Sequence, residues 1–488
     1  MYDGPPVVVV GNGPVGQTTA LLLARWGVPT IVLDAQDRRT PVGSRSICQQ
    51  RETLDIWDSV GAGREIADEG VTWRVARTYY REHELFHLAF ADSGSSPFPP
   101  WVNIGQARVE QLLDERIAEQ PLIEARWGTT VTGITQDRDR ARVETTHGSI
   151  ATPYVVACAG AHGDVARRAV GAEFEGRSFA DRFLICDIRC ELPDRELERR
   201  FYFDPAWNPG RQVLMHPCPD STYRIDWQVA PEFDLEQERA SGDLDRRIRR
   251  IVGDRDHEVV WCTVYRFHSR CATTMGAGRV LLAGDCAHLV APFGARGLNS
   301  GVADAENAAW RIAFELHGWG RGLTPAYDVE RRAAAQDNLA VTTRTMDFLV
   351  PQSDAGWAHR CAVLERAVTD PEARTQIDSG RLYAPFRYGD HPHPAVGAIL
   401  PDHAVDGVRL RELARRGLLL LSRDPVQVPD LPFPCSAVAL PTGPADELGL
   451  TAGEAWVVRP DAHVAAAPAP GALGEAVGSL LAGPGLSQ

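Results

Sequence analysis

Glycines near the start of the chain have the spacing that binds the phosphates of a dinucleotide. The segment 11–16 reads Gly-Asn-Gly-Pro-Val-Gly, a GxGxxG motif in which Val15 precedes the third glycine. Gly11 permits a tight turn, Gly13 lets the backbone approach a pyrophosphate, and Gly16 allows close packing of helix and strand. Asp34 ends the next apolar run, where its carboxylate can accept hydrogen bonds from a ribose diol. Together these residues predict a dinucleotide site.

A second glycine-rich segment, much later in the chain, offers hydrogen-bonding groups for a sugar and for an electron-rich ring. An apolar run ends in Gly284 and Asp285, and a loop then leads into a helical pattern at 302–314. The acid can bind a hydroxyl group, and the backbone N–H groups at the helix start carry the positive end of its dipole. The side chain that we expect at a ligand here is Asp285.

The elements that must position these residues can be predicted from the hydrophobic pattern. Residues 6–10 and 30–33 are short, continuous apolar runs, and 17–26 has the apolar spacing of a helix between them. A strand that is buried on both faces has such a continuous apolar run. The same order returns with a strand at 280–283 and the helix at 302–314. The pattern predicts an α/β fold with a Rossmann-like domain.

The two segments together resemble the group A FAD-dependent aromatic hydroxylases, which are flavoprotein monooxygenases related to para-hydroxybenzoate, phenol and polyketide hydroxylases. The matching residues, in family order and spacing, are Gly284-Asp285, Ala287-His288, Pro292, 294–299 and Asp304-Ala305. The resemblance implies an FAD cofactor, with Asp285 on the ribityl chain and with Leu298 and Asn299 on the isoalloxazine ring. It also implies that Pro292 and Gly297 are cofactor contacts. We interpret His288 as a framework histidine beneath the loop, and a role as catalytic base is the less favoured alternative.

Two further polar residues take FAD roles through the same resemblance. Arg45 lies where the family has an arginine that reaches the flavin, and Gln106 precedes a helical stretch where a family glutamine contacts FAD. The family's middle fingerprint is altered, since Ala159 replaces an aspartate and Arg167 aligns only after a one-residue insertion. We expect each lost hydrogen bond to cost about 1 kcal/mol, and we expect the use of NAD(P)H to suffer more than FAD binding.

The segment 178–270 has alternating, strand-like stretches, which predict a β-sheet inserted between two flavin-binding parts. These stretches are 182–189, 200–203, 212–216, 223–229 and 259–267. Arg224 and Asp226 share one strand face because side chains alternate with a period of two. The resemblance puts Arg224 near the flavin and His216 near the substrate, so Arg224, His216 and Asp226 are the catalytic candidates. A surface ion pair between Arg224 and Asp226 is the alternative.

Composition excludes several other classes of protein. The 488 residues are 44% hydrophobic and carry a net charge of −14, which argues against nucleic acid or an anionic membrane as the main partner. The ten cysteines form no CxxC pair and no zinc-ligand spacing, and no apolar run is long enough to span a bilayer. The first strand follows Met1 too closely for a signal peptide. We therefore expect a cytoplasmic protein without a metal, as a monomer or homodimer.

We expect the chain to divide into four segments. These are a first FAD-binding part at 1–177, the β-sheet substrate domain at 178–270, a second FAD-binding part with helices at 271–390, and a C-terminal domain at 391–488. Residues 455–461 resemble the central hairpin of the thioredoxin-like domain that many members of the family carry. Because this domain lacks CxxC, redox work by a cysteine pair is not expected.

The resemblance implies an FAD-dependent monooxygenase with a small aromatic substrate. NAD(P)H would reduce FAD, O2 would form a flavin C4a-hydroperoxide, and its distal oxygen would attack a phenolic or polyphenolic ring. The protein would position the ring, exclude water and favour the phenolate. A related oxidase, epoxidase or halogenase is an alternative, although family halogenases use a lysine and this chain has none. Another alternative is a non-hydroxylating flavin-binding homologue that sequesters or oxidises an aromatic intermediate.

Overall fold

The structure, a computed structural model, describes residues 2–40, 46–91, 96–192 and 197–483. In chain order its strands are β1 (Val7–Val10), β2 (Thr30–Leu33), β3 (Cys48–Gln50), β4 (Val71–Thr72), β5 (Val75–Tyr80), β6 (His83–Ala89), β7 (Trp101–Asn103), β8 (Ile123–Arg126), β9 (Val131–Gln136), β10 (Ala141–Thr145), β11 (Gly148–Thr152), β12 (Val155–Ala157), β13 (Phe174–Arg189), β14 (Arg199–Phe203), β15 (Gln212–Cys218), β16 (Thr222–Val229), β17 (Glu258–Ala272), β18 (Gly276–Ala277), β19 (Val280–Leu282), β20 (His288–Leu289), β21 (Ala404–Val405), β22 (Val408–Arg409), β23 (Leu418–Ser422), β24 (Cys435–Ala439), β25 (Ala455–Val458) and β26 (Val464–Ala466).

The helices connect these strands and cover their faces. They are α1 (Pro14–Arg25), α2 (Arg51–Asp58), α3 (Gly63–Glu69), α4 (Gln106–Ala118), α5 (Asp164–Ala169), α6 (Leu235–Ala240), α7 (Asp243–Val252), α8 (Gly297–Leu316), α9 (Pro325–Leu349), α10 (Asp354–Ala367), α11 (Pro371–Arg374), α12 (Leu410–Arg415), α13 (Thr442–Leu448) and α14 (Leu473–Ala482). Within the described ranges, no helix combines the length and the apolar character that crossing a membrane requires.

Six strands from separate parts of the chain form one sheet, in the order β18-β19-β12-β1-β2-β8. Strand β1 is fully buried and pairs in parallel with β2 and β12, and β12 pairs in parallel with β19. Parallel strands end at the same edge of a sheet, so the segments that follow Val10, Ala157 and Leu282 lie close together. The predicted strand–turn–helix order is therefore observed, and it gathers three distant loops at one edge.

The stretches predicted between 182 and 267 are strands in an eight-stranded sheet, ordered β20-β17-β13-β16-β15-β14-β5-β6. The last two strands at one edge, β5 and β6, come from residues 75–89, which precede the predicted substrate segment. Strand β14 pairs with β5 in parallel. The hydrophobic pattern did not predict this extension, because a pairing between segments more than 100 residues apart leaves no local periodicity.

The C-terminal segment contains a four-stranded sheet in the order β24-β23-β25-β26. Strands β23 and β24 are parallel, whereas β23–β25 and β25–β26 are antiparallel. Both faces of β23 are buried, and on one face Leu418 and Leu420 pack with Trp310 and Phe314 of α8. The sheet therefore shares a hydrophobic core with the helix that follows the second glycine-rich segment.

A buried cluster of ion pairs also fastens the C-terminal segment to α2 and α8. Asp55 pairs with Arg409, Arg411 and Arg415, and Arg415 donates a second hydrogen bond to Glu306 over 2.6 Å. Burial alone would raise the pKa of Asp55, but the three guanidinium charges lower it to about 2. A buried carboxylate with several partners is costly to leave unpaired.

Replacing Arg415 with methionine is expected to lower the free energy of unfolding by about 3–5 kcal/mol, because Glu306 loses its partner inside the protein. Urea unfolding monitored by tryptophan fluorescence measures the effect. Arg416→Met is the control, since Arg416 is exposed and its one ion pair with a described residue is to Glu412, one helical turn away. We expect the control to stay within about 0.5 kcal/mol of the parent protein. Equal stability of the two variants would contradict the assigned role.

Candidate functional site

A cleft with a volume of about 930 Å³ is lined both by the loops of the six-stranded sheet and by the inner face of the eight-stranded sheet. Most of the predicted ligand residues lie in its wall, although they are far apart in sequence. Those in the wall are Gly11, Gly13, Val15, Asp34, Gln106, Asp285, Pro292, Gly297, Leu298, His216, Arg224 and Asp226. Arg45 lies outside the described residues.

The glycines of the first motif differ in what requires them. Gly11 has a φ of +102°, and a Cβ there would overlap the carbonyl group of Cys158. A Cβ on Gly16 would overlap the carbonyl oxygen of Gly11, so Gly16 lets α1 pack against the turn. Gly13 has an ordinary φ of −81°, and no described atom lies within 4 Å of an added Cβ. The described fold does not require glycine at 13, and the empty space faces the cleft.

Asp34 lies at the end of β2 with both oxygens turned towards the backbone. Its Oδ2 accepts a hydrogen bond from the Asn12 N–H over 2.8 Å, and Oδ1 accepts one from the Gln36 N–H over 2.9 Å. Two oxygens of a carboxylate offer about four lone-pair sites. Asp34 therefore supports the glycine turn and keeps acceptor capacity for a diol in the cleft.

The second glycine-rich segment enters α8 earlier than predicted, at Gly297 rather than 302. The first hydrogen bond inside the helix runs from the Ser300 N–H to the Arg296 carbonyl over 2.9 Å. The N–H groups of Gly297 and Leu298 therefore precede the helical ladder, at the positive end of a 20-residue helix. Because 297–301 contains two glycines, the sequence predicts a loop there, whereas the backbone of this turn is helical.

Asn299 does not line the cleft, and its side chain makes four hydrogen bonds within the protein. Its Oδ1 accepts from the Gln50 N–H and the Thr53 hydroxyl, and its Nδ2 donates to the carbonyl groups of Cys48 and Ala295. The amide thus ties α8 to the start of α2. These hydrogen bonds give the side chain a fastening role, and the flavin contact predicted for Asn299 stays a prediction.

His288 is buried beneath the same segment. Its Nε2 lies 2.8 Å from Asp304 Oδ2, and Asp304 also accepts hydrogen bonds from Arg331 and the Gly284 N–H. Burial opposes the charge on Asp304, but Arg331 and His288 outweigh it and lower the pKa of the carboxyl. This arrangement supports the framework interpretation of His288, because the imidazole orients the strand end and does not line the cleft.

The altered middle fingerprint keeps a carboxylate beside its arginine. Arg167 is buried, and it donates to Asp164 over 2.6 Å and to the carbonyl groups of Ala161 and Cys286 over 3.0 Å. Ala159 itself lines the cleft without a polar side chain. Asp164 thus pairs with the arginine although the fingerprint aspartate is missing, and weaker use of NAD(P)H stays a prediction.

A polar row crosses the inner face of the eight-stranded sheet. His216, Arg224 and Asp187 lie opposite one another on β15, β16 and β13. Arg224 is 2% exposed and forms two hydrogen bonds of 2.7 Å to Asp187. The alternative of a surface ion pair between Arg224 and Asp226 is therefore wrong. Asp187 was missed, because only the register between β13 and β16 brings it to Arg224.

Asp226 lines the cleft beside this row and makes no side-chain hydrogen bond to any described residue. Burial raises the pKa of its carboxyl to about 7; the charge of Arg224 opposes this shift. His216 has a lowered pKa because it is buried and faces the charges of Arg199 and Arg224, so its imidazole is neutral. Its Nδ1 lies 3.8 Å from the sulfur of Cys48. The cleft thus combines a proton acceptor near neutral pH with a neutral imidazole.

Aromatic side chains form an apolar wall of the cleft, next to the polar row. The ring centroids of Phe183 and Phe267 are 4.7 Å apart, and Phe293 lies 5.5 Å from Phe183. All three line the cleft. The sequence gives no local sign of this wall, because its members come from β13, β17 and the loop before α8.

Comparison with known proteins identifies the family. A family model described as FAD binding domain matches residues 5–342, which is more than half of the chain. The chain belongs to this FAD-binding family. The glycine turn, the open space at Gly13 and the start of α8 fit FAD, which has a pyrophosphate and an electron-rich ring. The resemblance to the group A aromatic hydroxylases is confirmed by the family and by its relatives.

Three of the similar proteins illustrate the relationship. A 3-(3-hydroxy-phenyl)propionate/3-hydroxycinnamic acid hydroxylase from Mycolicibacterium gilvum (strain PYR-GCK) is 27% identical. The match covers 81% of this chain and 68% of the length of that hydroxylase. A probable NADH-specific resorcinol 4-hydroxylase from Rhodococcus jostii (strain RHA1) is 28% identical. The match covers 67% of this chain and 62% of the length of that hydroxylase. The crystal structure of the flavin-dependent monooxygenase PieE, with FAD and substrate, has a TM-score of 0.83. It is 20% identical, covers 99% of this chain and 100% of its own, and supports the fold. The chain is thus an FAD-dependent enzyme of the aromatic monooxygenase group.

Proposed function

We propose that the protein hydroxylates a phenolic or polyphenolic ring with O2 and NAD(P)H. The observation that carries the proposal is one cleft that joins the glycine loops to the carboxyl of Asp226, which has no hydrogen-bond partner in the described part of the chain. Bound FAD would transfer electrons from the nicotinamide to O2 and activate O2, one atom of which would enter the ring while the other leaves as water. The relatives with printed hydroxylase activities on phenols support the same reaction class.

The cofactor would be held by groups from four parts of the chain. The turn at Gly11 and Gly13 and the start of α1 would bind the pyrophosphate, and Asp34 would bind the ribose. Asp285 would bind the ribityl chain, and the first N–H groups of α8 would face the ring. The remaining proposed contacts are Val15, Gly16, Arg45, Gln106, Pro292, Gly297 and Leu298, with Asn299 holding the last segment in position.

The substrate would lie between the aromatic wall and the polar row. Phe183, Phe267 and Phe293 would hold a flat ring and exclude water. Asp226 would accept the phenolic proton, since a carboxylate with a pKa of about 7 is ionised at and above neutral pH and is poorly solvated. The neutral His216 would donate or accept a hydrogen bond at the same hydroxyl. Arg224, held by Asp187, would orient the groups around it.

We also propose the domain division expected from the sequence. Residues 1–177 and 271–390 would form the FAD-binding part, with the substrate sheet of 178–270 inserted between them. The 391–488 segment would be a thioredoxin-like domain. The order β24-β23-β25-β26 and the antiparallel hairpin of β25 and β26 support this assignment. Cys435 is the sole cysteine of that segment, so it would serve structure and not disulfide exchange.

The second candidate is a non-hydroxylating homologue that sequesters or oxidises an aromatic intermediate. It is favoured by Ala159, which leaves the middle fingerprint without its usual carboxylate in the cleft. The two candidates differ in one product, because only hydroxylation transfers an atom of O2 to the ring.

The test is NADH and NADPH consumption by the FAD-loaded protein across phenols of graded size, under 18O2. We expect a suitable phenol to raise consumption severalfold and to yield a product that contains one 18O atom. Peroxide is measured in parallel, because stimulated consumption that yields only peroxide would support the second candidate. No stimulation and no labelled product from any phenol would contradict the proposed hydroxylation.

A further inference from the structure

Arg199 extends the polar row of the cleft by one strand. Arg200 on β14 pairs with Met215 on β15, so the register brings Arg199 beside His216. The Arg199 side chain lines the cleft, yet the residue as a whole is 4% exposed. Four neighbouring strands therefore contribute Arg199, His216, Arg224 and Asp187 in one line.

The charge of Arg199 has no carboxylate partner among the described residues. Its guanidinium donates one hydrogen bond, to the carbonyl oxygen of Ser379 over 3.1 Å, and its charge centre lies 5.6 Å from the Phe201 ring. Among the described residues, no carboxylate oxygen lies within the 4.0 Å that defines a salt bridge to Arg199. Arg224 differs in this respect, because Asp187 neutralises it with two hydrogen bonds.

The other described surroundings compensate for the charge only in part, because Asp226 favours the charged guanidinium but burial outweighs it. His216 is neutral, and burial lowers the pKa of the Arg199 guanidinium itself. Asp226 is two strands away and is largely protonated below pH 7. A buried cation is costly unless it is paired, and here its free N–H groups face a cleft that is large enough for a ligand.

We propose that Arg199 binds a carboxylate of the substrate, so that the substrate is an aromatic acid that also carries a phenolic hydroxyl. This inference rests on the proposed function for the position of the ring. A guanidinium forms paired hydrogen bonds with a carboxylate, which neutral phenols do not offer. The hydroxyl would lie at Asp226 and the acid at Arg199.

The size of the cleft agrees with this orientation. Arg199 and Asp226 belong to β14 and β16, and strands two apart are separated by roughly 10 Å. Both side chains reach into the cleft from the same face of the sheet. One or two aromatic rings with an acid at one end and a hydroxyl at the other can bridge this separation, with Phe183 and Phe267 along the side.

The experiment compares acids with amides of the same shape. FAD-loaded protein is titrated calorimetrically with 3-hydroxybenzoate and 3-hydroxybenzamide, with 3-(3-hydroxyphenyl)propionate and its amide, and with 6-hydroxy-2-naphthoate and its amide. In at least one pair we expect the acid to bind about tenfold more tightly than the amide, because a charge-assisted hydrogen bond is replaced by a weaker one. The measurement needs no turnover.

Variants of two neighbouring arginines test whether Arg199 causes the preference for acids over amides. Arg199→Met is expected to reduce the acid-to-amide ratio to about one, and Arg199→Lys is expected to keep part of it. Arg200→Met is the matched control, because Arg200 lies on the opposite face of β14 and pairs with Glu198 over 2.7 Å. We expect the control to keep the full ratio. Since Arg199→Met removes an unpaired charge, it should fold and load FAD like the parent.

Each outcome has a distinct meaning. A ratio near one in all three pairs, including failure of every acid to bind, overturns the carboxylate site. A preference for acids that survives in Arg199→Met also overturns it. Selective acid binding through Arg199 without any hydroxylated product leaves the carboxylate site intact and contradicts the proposed hydroxylation instead. Should Arg199→Met unfold, Arg199→Lys and thermal stabilisation of the parent by acids but not by amides decide the question.

Discussion

The Asp226→Asn variant is expected to hydroxylate its substrate at least about 100-fold more slowly than the parent protein, the usual size of a general-base contribution. The amide has nearly the same shape as the carboxyl but cannot accept the phenolic proton. Asp226 makes no hydrogen bond to a described side chain, so the substitution breaks no protein contact. We therefore expect normal folding and FAD content together with a loss of hydroxylated product.

The pH dependence provides a second signature of the same residue. Burial raises the pKa of Asp226 to about 7, so its carboxyl is protonated below that pH and ionised above it. A base acts in its ionised form, and the rate of product formation should therefore rise through about pH 7 and then level off. This rise of the rate with pH should be absent in Asp226→Asn.

The contribution of Asp226 to the free energy of unfolding should fall as the pH rises, whereas the rate should increase. The folded state favours the protonated form of Asp226, so this contribution is complete below the ordinary aspartate pKa and is lost as the pH rises to about 7. Above pH 7 the asparagine variant should therefore be at least as stable as the parent. Glu258→Gln is the control, because Glu258 belongs to the same sheet but is exposed beside Arg189. If the rate of product formation by Asp226→Asn still rises through about pH 7, Asp226 is not the base.

Gly13→Val should fold normally and lose FAD. The backbone at 13 has a φ of −81°, which valine adopts, and no described atom lies within 4 Å of the added Cβ. The side chain would instead fill the space where the pyrophosphate approaches the start of α1. We expect FAD to bind about 100-fold more weakly, equivalent to the loss of one or two charge-assisted hydrogen bonds.

The measurement separates folding from binding. Circular dichroism and the unfolding midpoint without FAD should match the parent protein, whereas flavin absorbance after gel filtration and the FAD dissociation constant should not. Gly474→Val is the matched control, since Gly474 also has open space around an added Cβ but lies in α14, away from the cleft. Full flavin content in Gly13→Val would mean that the pyrophosphate lies elsewhere.

The sequence by itself determined the local units of this protein. The strand, glycine turn and helix at 7–25, the acid at Asp34 and the second segment after Gly284 depend on residues that are close in sequence. Gly11, for example, has a positive φ of +102°, which a turn of a few residues imposes. The strands from 182 to 267 were likewise visible, because alternation with a period of two is a local pattern.

The tertiary structure alone decided which polar residues meet. The sequence places Arg224 and Asp226 on one strand face and leaves an ion pair between them as an alternative, but the register between β13 and β16 pairs Arg224 with Asp187. Among the residues that the structure describes, that pairing leaves Asp226 without a hydrogen-bond partner and Arg199 without a carboxylate. The physical reason is that strand register joins residues from separate parts of the chain, and the charge balance of the cleft follows from the register and not from local sequence.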